Sequence, residues 1–236
     1  MEGKWIREIF AQYCNDKGVL ASEQNELLIH LDAIISFSGG AGFCMSEEGD
    51  LLSQWRAYAD NGAGVSIGFN KDYFETLGNL KRDRGDPFNA HLTKVEYDVV
   101  QQKKIVGEHL DEILKLVSQG VLRKPTILSA ISEEAEKQRQ ENFRTLILRY
   151  FFFFFHLYEM KNPAFAEERE WRLISHLIRE AREREFGQIT KMDFRPLPDR
   201  IVPFTRIALE PLPVPSIAEI VLWPRNVTPE KIVEAI

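Results

Sequence analysis

The short motifs that announce common chemistries are missing from this sequence. It has no GxxxxGKS/T loop for nucleotide phosphates, no GxGxxG after a strand, no HExxH and no GxSxG elbow. Cysteine is scarce: Cys14 and Cys44 are the only two, with no CxxC pair and no histidine at ligand spacing. That excludes a disulfide framework and a zinc module and points to the reducing cytoplasm. The five histidines are scattered, so no metal site is expected. Positive charge is also short, with a formal net charge of -6 and a pI near 5.5, which argues against broad nucleic-acid binding. No basic-then-apolar leader opens the chain, since Arg7 and Glu8 interrupt its first apolar residues. A long uninterrupted hydrophobic run is absent too. Phe151 to Phe155 come closest, but Arg149 and His156 flank them and the stretch falls short of the ~20 residues a bilayer needs. No membrane association is expected, and phenylalanine all round implies a helix covered on most sides.

What is present reads as one α+β domain over 1–236, with short mixed or antiparallel sheets and a long, largely buried helical insertion. A helical part spans 1–40, a motif-bearing part with strands 41–98, helices 99–162, and a strand-rich part 168–223. Helical spacing covers 4–14 and 22–36, where Leu27, Leu28, Leu31, Ile34 and Ile35 recur at three- and four-residue steps. "FSGGAG" ends that region, Phe43 to Ser46 form a short strand, and Asp50 is placed to cap the next helix. Asp60, Asn61 and Gly62 stop that helix. "GVSIGF" follows as a strand, with Val65, Ile67 and Phe69 alternating against Ser66 and Gly68. A helical turn over 70–77, a polar loop and the strand "LTKVEYD" come next. The helices 99–119 and 126–160 lead into strands punctuated by six of the eleven prolines, and Thr228 caps a last helix.

Two constellations stand out. On the helix after Asp50, steps of about 100° per residue put Tyr58, Leu51, Trp55, Ala59 and Leu52 in one arc, with Arg56 at its rim. On folding grounds alone Arg56 lays its stem over apolar surface and keeps its head in water. In "EEREWRLI", period two puts Glu168, Glu170, Arg172 and Ile174 on one face and Trp171 and Leu173 on the buried other. On folding grounds alone the first face is solvated. Ser66 and Gly68 leave room for a ligand or a packed helix.

The segments "FCMSEEGDLLSQWRAYADNGAGVSIGF", "KVEYD", "EEREWRLI" and "IAEIVLWP" together resemble the bacterial family catalogued as domain of unknown function 2971. Met45 stands where the family favours phenylalanine, and Trp223 precedes Pro224 where glycine is usual. The family's opening strand, with a "YHYTS"-like motif, has no counterpart here. More distantly, the order of elements is similar to ADP-ribosyltransferases. That resemblance implies NAD in a cleft between two sheets, Glu170 at the nicotinamide ribose and Glu168 activating an acceptor. It also implies Arg56 or Arg172 on the pyrophosphate, Trp55 and Tyr58 as an aromatic wall, and Ser46 and Ser66 among the binding residues. The acceptor, a small molecule or a macromolecule, is unspecified, and Arg56 is expected within reach of Glu170 or Arg172. Two alternatives stand beside it: a metal-dependent phosphodiesterase using Glu47, Glu48 or Asp50 with Glu168 and Glu170, and a truncated or inactive interaction protein completed by a missing strand or a partner chain.

Overall fold

The computed structural model describes residues 2–83, 90–122, 133–178, 193–223 and 225–226. The expected helix cap at Thr228 and the start of the second long helix near Pro125 lie outside them. The fold is α+β. The chain forms two compact units, one from Met1–Gly39 with Glu96–Ala164 and the other from Gly40–Val95 with Phe165–Ile236.

The first unit is helical: α1 (Glu2–Asp16), α2 (Ala21–Phe37), α5 (Val99–Ser118) and α6 (Glu133–His156). Each helix spaces its apolar residues at three and four, so each turns one stripe inward. Ile6, Ile9, Phe10 and Cys14 from α1 meet Leu27 and Leu31 from α2, Leu110 and Ile113 from α5, and Leu146, Tyr150 and Phe153 from α6. Phe10 meets Phe153 edge-on at 5.5 Å, and the buried Tyr150 hydroxyl donates to Leu27 O at 3.0 Å. Asp98 caps α5, accepting from Val100 N at 2.7 Å. Gln102 is fully buried and satisfied at both ends of its amide: it donates to Glu96 O at 2.6 Å and Lys161 O at 2.8 Å, and accepts from Trp5 Nε1 at 3.0 Å. The cover of α6 is uneven. Phe153 and Phe154 are buried whereas Phe152 and Phe155 are exposed, which corrects the picture of a helix enclosed on most sides.

The second unit holds the sheets: β1 (Ser38–Ser46), α3 (Leu52–Tyr58), β2 (Val65–Phe69), α4 (Lys71–Asp83), β3 (Ala90–Lys94), β4 (Glu170–Ile178), β5 (Asp193–Pro196), β6 (Ile201–Phe204) and β7 (Ile217–Leu222). Sheet order is β1-β4-β3, with separate antiparallel pairs β2-β7 and β5-β6. The register Leu92↔Leu173 and Ala90↔Ser175 turns those residues toward α4, whose Tyr73, Phe74 and Leu77 cover them. The glycines of "FSGGAG" extend β1 rather than ending a region. On β2 the expected inward residues Val65 and Ile67 are exposed, because the two-stranded β2-β7 sheet leaves part of its apolar face open.

Candidate functional site

The helix of the first motif is short, and it buries one residue. Trp55 lies against Trp223 with ring centroids 5.1 Å apart and donates from Nε1 to Asp50 Oδ1 at 2.8 Å. Leu51 occupies the cap position and Asp50 holds the indole, so the expected Asp50 cap is replaced by a bond to a side chain. Asp60 and Asn61 both adopt positive φ, and Gly62 follows at +88°, a run that Asp, Asn and Gly tolerate best. A Cβ on Gly62 would overlap the Trp223 indole. Arg225 Nη1 donates to Asn61 O and Asn226 Nδ2 to Ala63 O and Gly64 O. Much of "WRAYADNGAG" is thus explained by a clasp between this turn and the residues after β7. Leu52 and Tyr58, expected beside Trp55 on the buried arc, are exposed, Tyr58 at 79%. Arg56 is exposed, and among the described residues it makes no ion pair or hydrogen bond.

The second motif is buried where a solvated face was expected. β4 is the central strand of its sheet, so both of its edges are paired, and packing buries Glu170 and Arg172 on one face and Leu173 and Ser175 on the other. Glu170 and Arg172 are each nearly inaccessible and form a bidentate pair, Nε to Oε1 and Nη2 to Oε2, both at 2.9 Å. A buried carboxylate needs such a fork, and arginine supplies two parallel donors where lysine supplies a point charge. The partner that holds Glu170 is therefore its strand neighbour Arg172 and not Arg56, because i and i+2 share a face of one strand. Ser46 fastens the end of β1 to the run before β4, donating from Oγ to Glu168 O at 2.9 Å, and accepts from Glu48 N at 3.1 Å. Glu168 is half-buried. Ser66 lies on β2 opposite Val221.

The carboxylates of the phosphodiesterase alternative are already engaged. Both Glu47 oxygens accept from Lys94 Nζ, at 3.0 and 2.8 Å, and that ammonium holds the Glu47 carboxyl below its ordinary range. Glu48 pairs with Arg169 at 3.3 Å, and Asp50 accepts from Trp55. Among the described residues no group of three or more His, Cys, Asp or Glu side chains is arranged to hold a metal.

On the Leu173 face of the same strand lies a cavity of about 550 Å³. Gly40 and Gly42 of β1 line it, and Phe43, Phe69 and Phe74 form an aromatic wall. Phe43 stands edge-on to Phe69 at 5.5 Å and at an angle to Phe74 at 6.4 Å. Val202, Pro203 and Phe204 of β6 contribute opposite Arg195 of β5. Among the described residues Arg195 is the one charged group in the lining; it is exposed and, among the same residues, makes no ion pair. None of the site residues expected from sequence lines this cavity. Strand alternation puts Glu170 and Arg172 on the other side of β4 from Leu173. Phe43 and Phe69 were visible only as strand apolar residues, and nothing in "MDFRP" marks Arg195.

The fold and site thus define an α+β protein with a ligand-sized pocket beside a small antiparallel sheet. The chain belongs to the family described as Protein of unknown function (DUF2971), whose model matches residues 54–173, about half of the chain. No curated protein and no solved structure matches it.

Proposed function

We propose that the strand-bearing unit binds a nucleotide, NAD being the first candidate, and that this binding serves ADP-ribosyl transfer or nicotinamide release. The supporting observation is the chemistry of the cavity lining. Its volume falls in the range of small-molecule sites, which are mostly apolar with a few placed polar groups. The phenylalanine wall suits a flat heterocycle, the glycines of β1 let a ligand approach backbone, and Arg195 offers a phosphate a bidentate donor with no carboxylate among the described lining residues. In this reading Arg195 takes the anion-binding role first expected of Arg56, and Phe43 and Phe69 take that of Trp55 and Tyr58. Glu170, held by Arg172 on the opposite face of β4 from Leu173, takes no part in this reading, which leaves the ribose to the groups that line the cavity.

Binding and turnover are read separately. Calorimetric titration of the full chain with NAD and ADP-ribose is expected to give saturable binding, weakened about 10-fold or more in Arg195→Gln, the loss of one charge-assisted hydrogen bond. No heat with either ligand at millimolar concentration refutes the site. Nicotinamide release from labelled NAD is expected of the parent and is expected to fall with binding in Arg195→Gln; a parent that binds NAD without releasing nicotinamide keeps the site and removes the catalytic part of the reading.

A further inference from the structure

The C-terminal end of α6 is tied to α5 by a stack of rings. His109 of α5 lies on two rings that stand one turn apart on α6, Phe152 at 4.9 Å with the planes 4° apart and His156 at 5.6 Å with the planes 28° apart, and meets Phe153 edge-on at 5.9 Å. His156 donates from Nδ1 to Glu159 Oε2 at 2.7 Å. Glu159 lies in the pairing that closes the helical excursion: its carbonyl accepts from Glu96 N at 2.8 Å, and Met160 bridges to Glu96. The Nδ1 atom of His109, by contrast, is shut off from water and has no hydrogen-bond partner among the described residues. A neutral imidazole tolerates this, because one of its nitrogens is a bare acceptor. An imidazolium carries N–H on both nitrogens and leaves one buried donor unpaired.

We propose that His109, His156 and Glu159 form an acid-sensitive latch: a proton taken from solvent by His109 expels its ring from the stack and frees the end of α6 from α5. Each charged group facing the ring bears on that step. Burial holds the His109 imidazole below its ordinary value of 6.5, with His156 and Arg149 of α6 adding to the effect and Glu108 on its own helix opposing it. The Arg149 guanidinium also lies 6.0 Å from the centre of Phe152, the ring that His109 stacks on. From α1, Asp16 and Lys17 reach α5 but pair with Lys103 and Asp111, on the opposite side of that helix from His109. From α2, His30 lies on Tyr150 at 5.8 Å, on the opposite side of α6 from Phe152. The opened ring takes its proton more readily than the stacked one, so the latch is whole above about pH 6.5 and gives way as pH falls below that value. It lies within the helical unit and is independent of nucleotide binding.

Amide hydrogen exchange of the full chain, corrected for the intrinsic effect of pH, is expected to show protection over residues 149–159 falling about 10-fold from about pH 7 to about pH 5 while α1 and α2 keep theirs. His109→Gln keeps a planar polar group without the titration and is expected to abolish that fall; His156→Gln is expected to reduce it. In the parent itself, the His109 imidazole resonance, identified by its through-space contacts to Phe152, is expected to titrate below 6.5, a measurement that holds even if His109→Gln does not fold. Protection that falls alike in all four helices, a fall unchanged in His109→Gln, or a His109 resonance that titrates at or above its ordinary value would each overturn the proposal.

Discussion

Separating Glu170 from Arg172 is the sharpest perturbation the second unit offers. Both side chains are almost completely buried, and each carboxylate oxygen takes one guanidinium hydrogen bond at 2.9 Å. Arg172→Met leaves an anion in the sheet without this fork, and Glu170→Gln leaves a cation facing a neutral amide. Breaking a buried pair from one side costs about 3–5 kcal/mol, or a factor of about 10² to 10⁴ in the folding equilibrium. For a chain of this size, with a urea slope of about 2–3 kcal/mol/M, the midpoint falls by about 1–2 M. The double variant Glu170→Leu, Arg172→Met removes both charges, and recovery to within about 1–2 kcal/mol of the parent is expected. Urea unfolding followed by circular dichroism and by tryptophan fluorescence measures all four proteins and tests whether the two probes coincide. Single variants each costing under about 1 kcal/mol, or losses that simply add in the double variant, would refute the structural role of the pair.

Two further outcomes are expected. Gly62→Ala places a Cβ into the Trp223 indole at a φ of +88°; with about 1–2 kcal/mol of backbone cost and a displaced tryptophan stack, the loss is about 2–4 kcal/mol, seen as a red shift in Trp55 and Trp223 emission and a lowered midpoint. An unchanged midpoint would mean that the clasp is dispensable. Burial of the Cys14 thiol raises its pKa from 9.0 to about 11. The folded state then keeps a proton that the unfolded chain releases, so this contribution is whole below pH 9 and is lost as pH climbs toward 11, on the order of 1–3 kcal/mol. Cys14→Ala is expected to flatten stability over that window, and an identical slope in the variant would assign the loss to other groups.

Helices were the most legible part of the fold. The spacing of Leu27, Leu28 and Leu31 is a local signal, and α1, α2 and α5 appear within a few residues of where they were expected. Strand positions were legible as well, but their environments were not. Period two in "EREWRLI" correctly separates Glu170 and Arg172 from Leu173, yet only tertiary packing decides that both faces of β4 are buried. In the same way, Trp55 was recognisable as the anchor of its motif, while its true partners, Asp50 and Trp223, lie 5 and 168 positions away. The pocket was the least visible feature. Its lining comes from β1, β2, α4, β4, β5 and β6, and no local pattern joins Gly40 to Arg195. Arg56 misled because an arginine at a helix rim has the same local sequence whether it meets a carboxylate or solvent.

The amide of Gln102 touches the chain at both thresholds of its helical excursion, at the carbonyl of Glu96 where it departs and at that of Lys161 where it comes back. A segment whose two feet are pinned side by side transmits little of its own variation to the strands outside it. Gln102 and the inward stripes of α5 and α6, which pack on α1 and α2, have to stay, so the outward positions between Val99 and His156 are where members of such a family can diverge, and the natural place to attach a reporter.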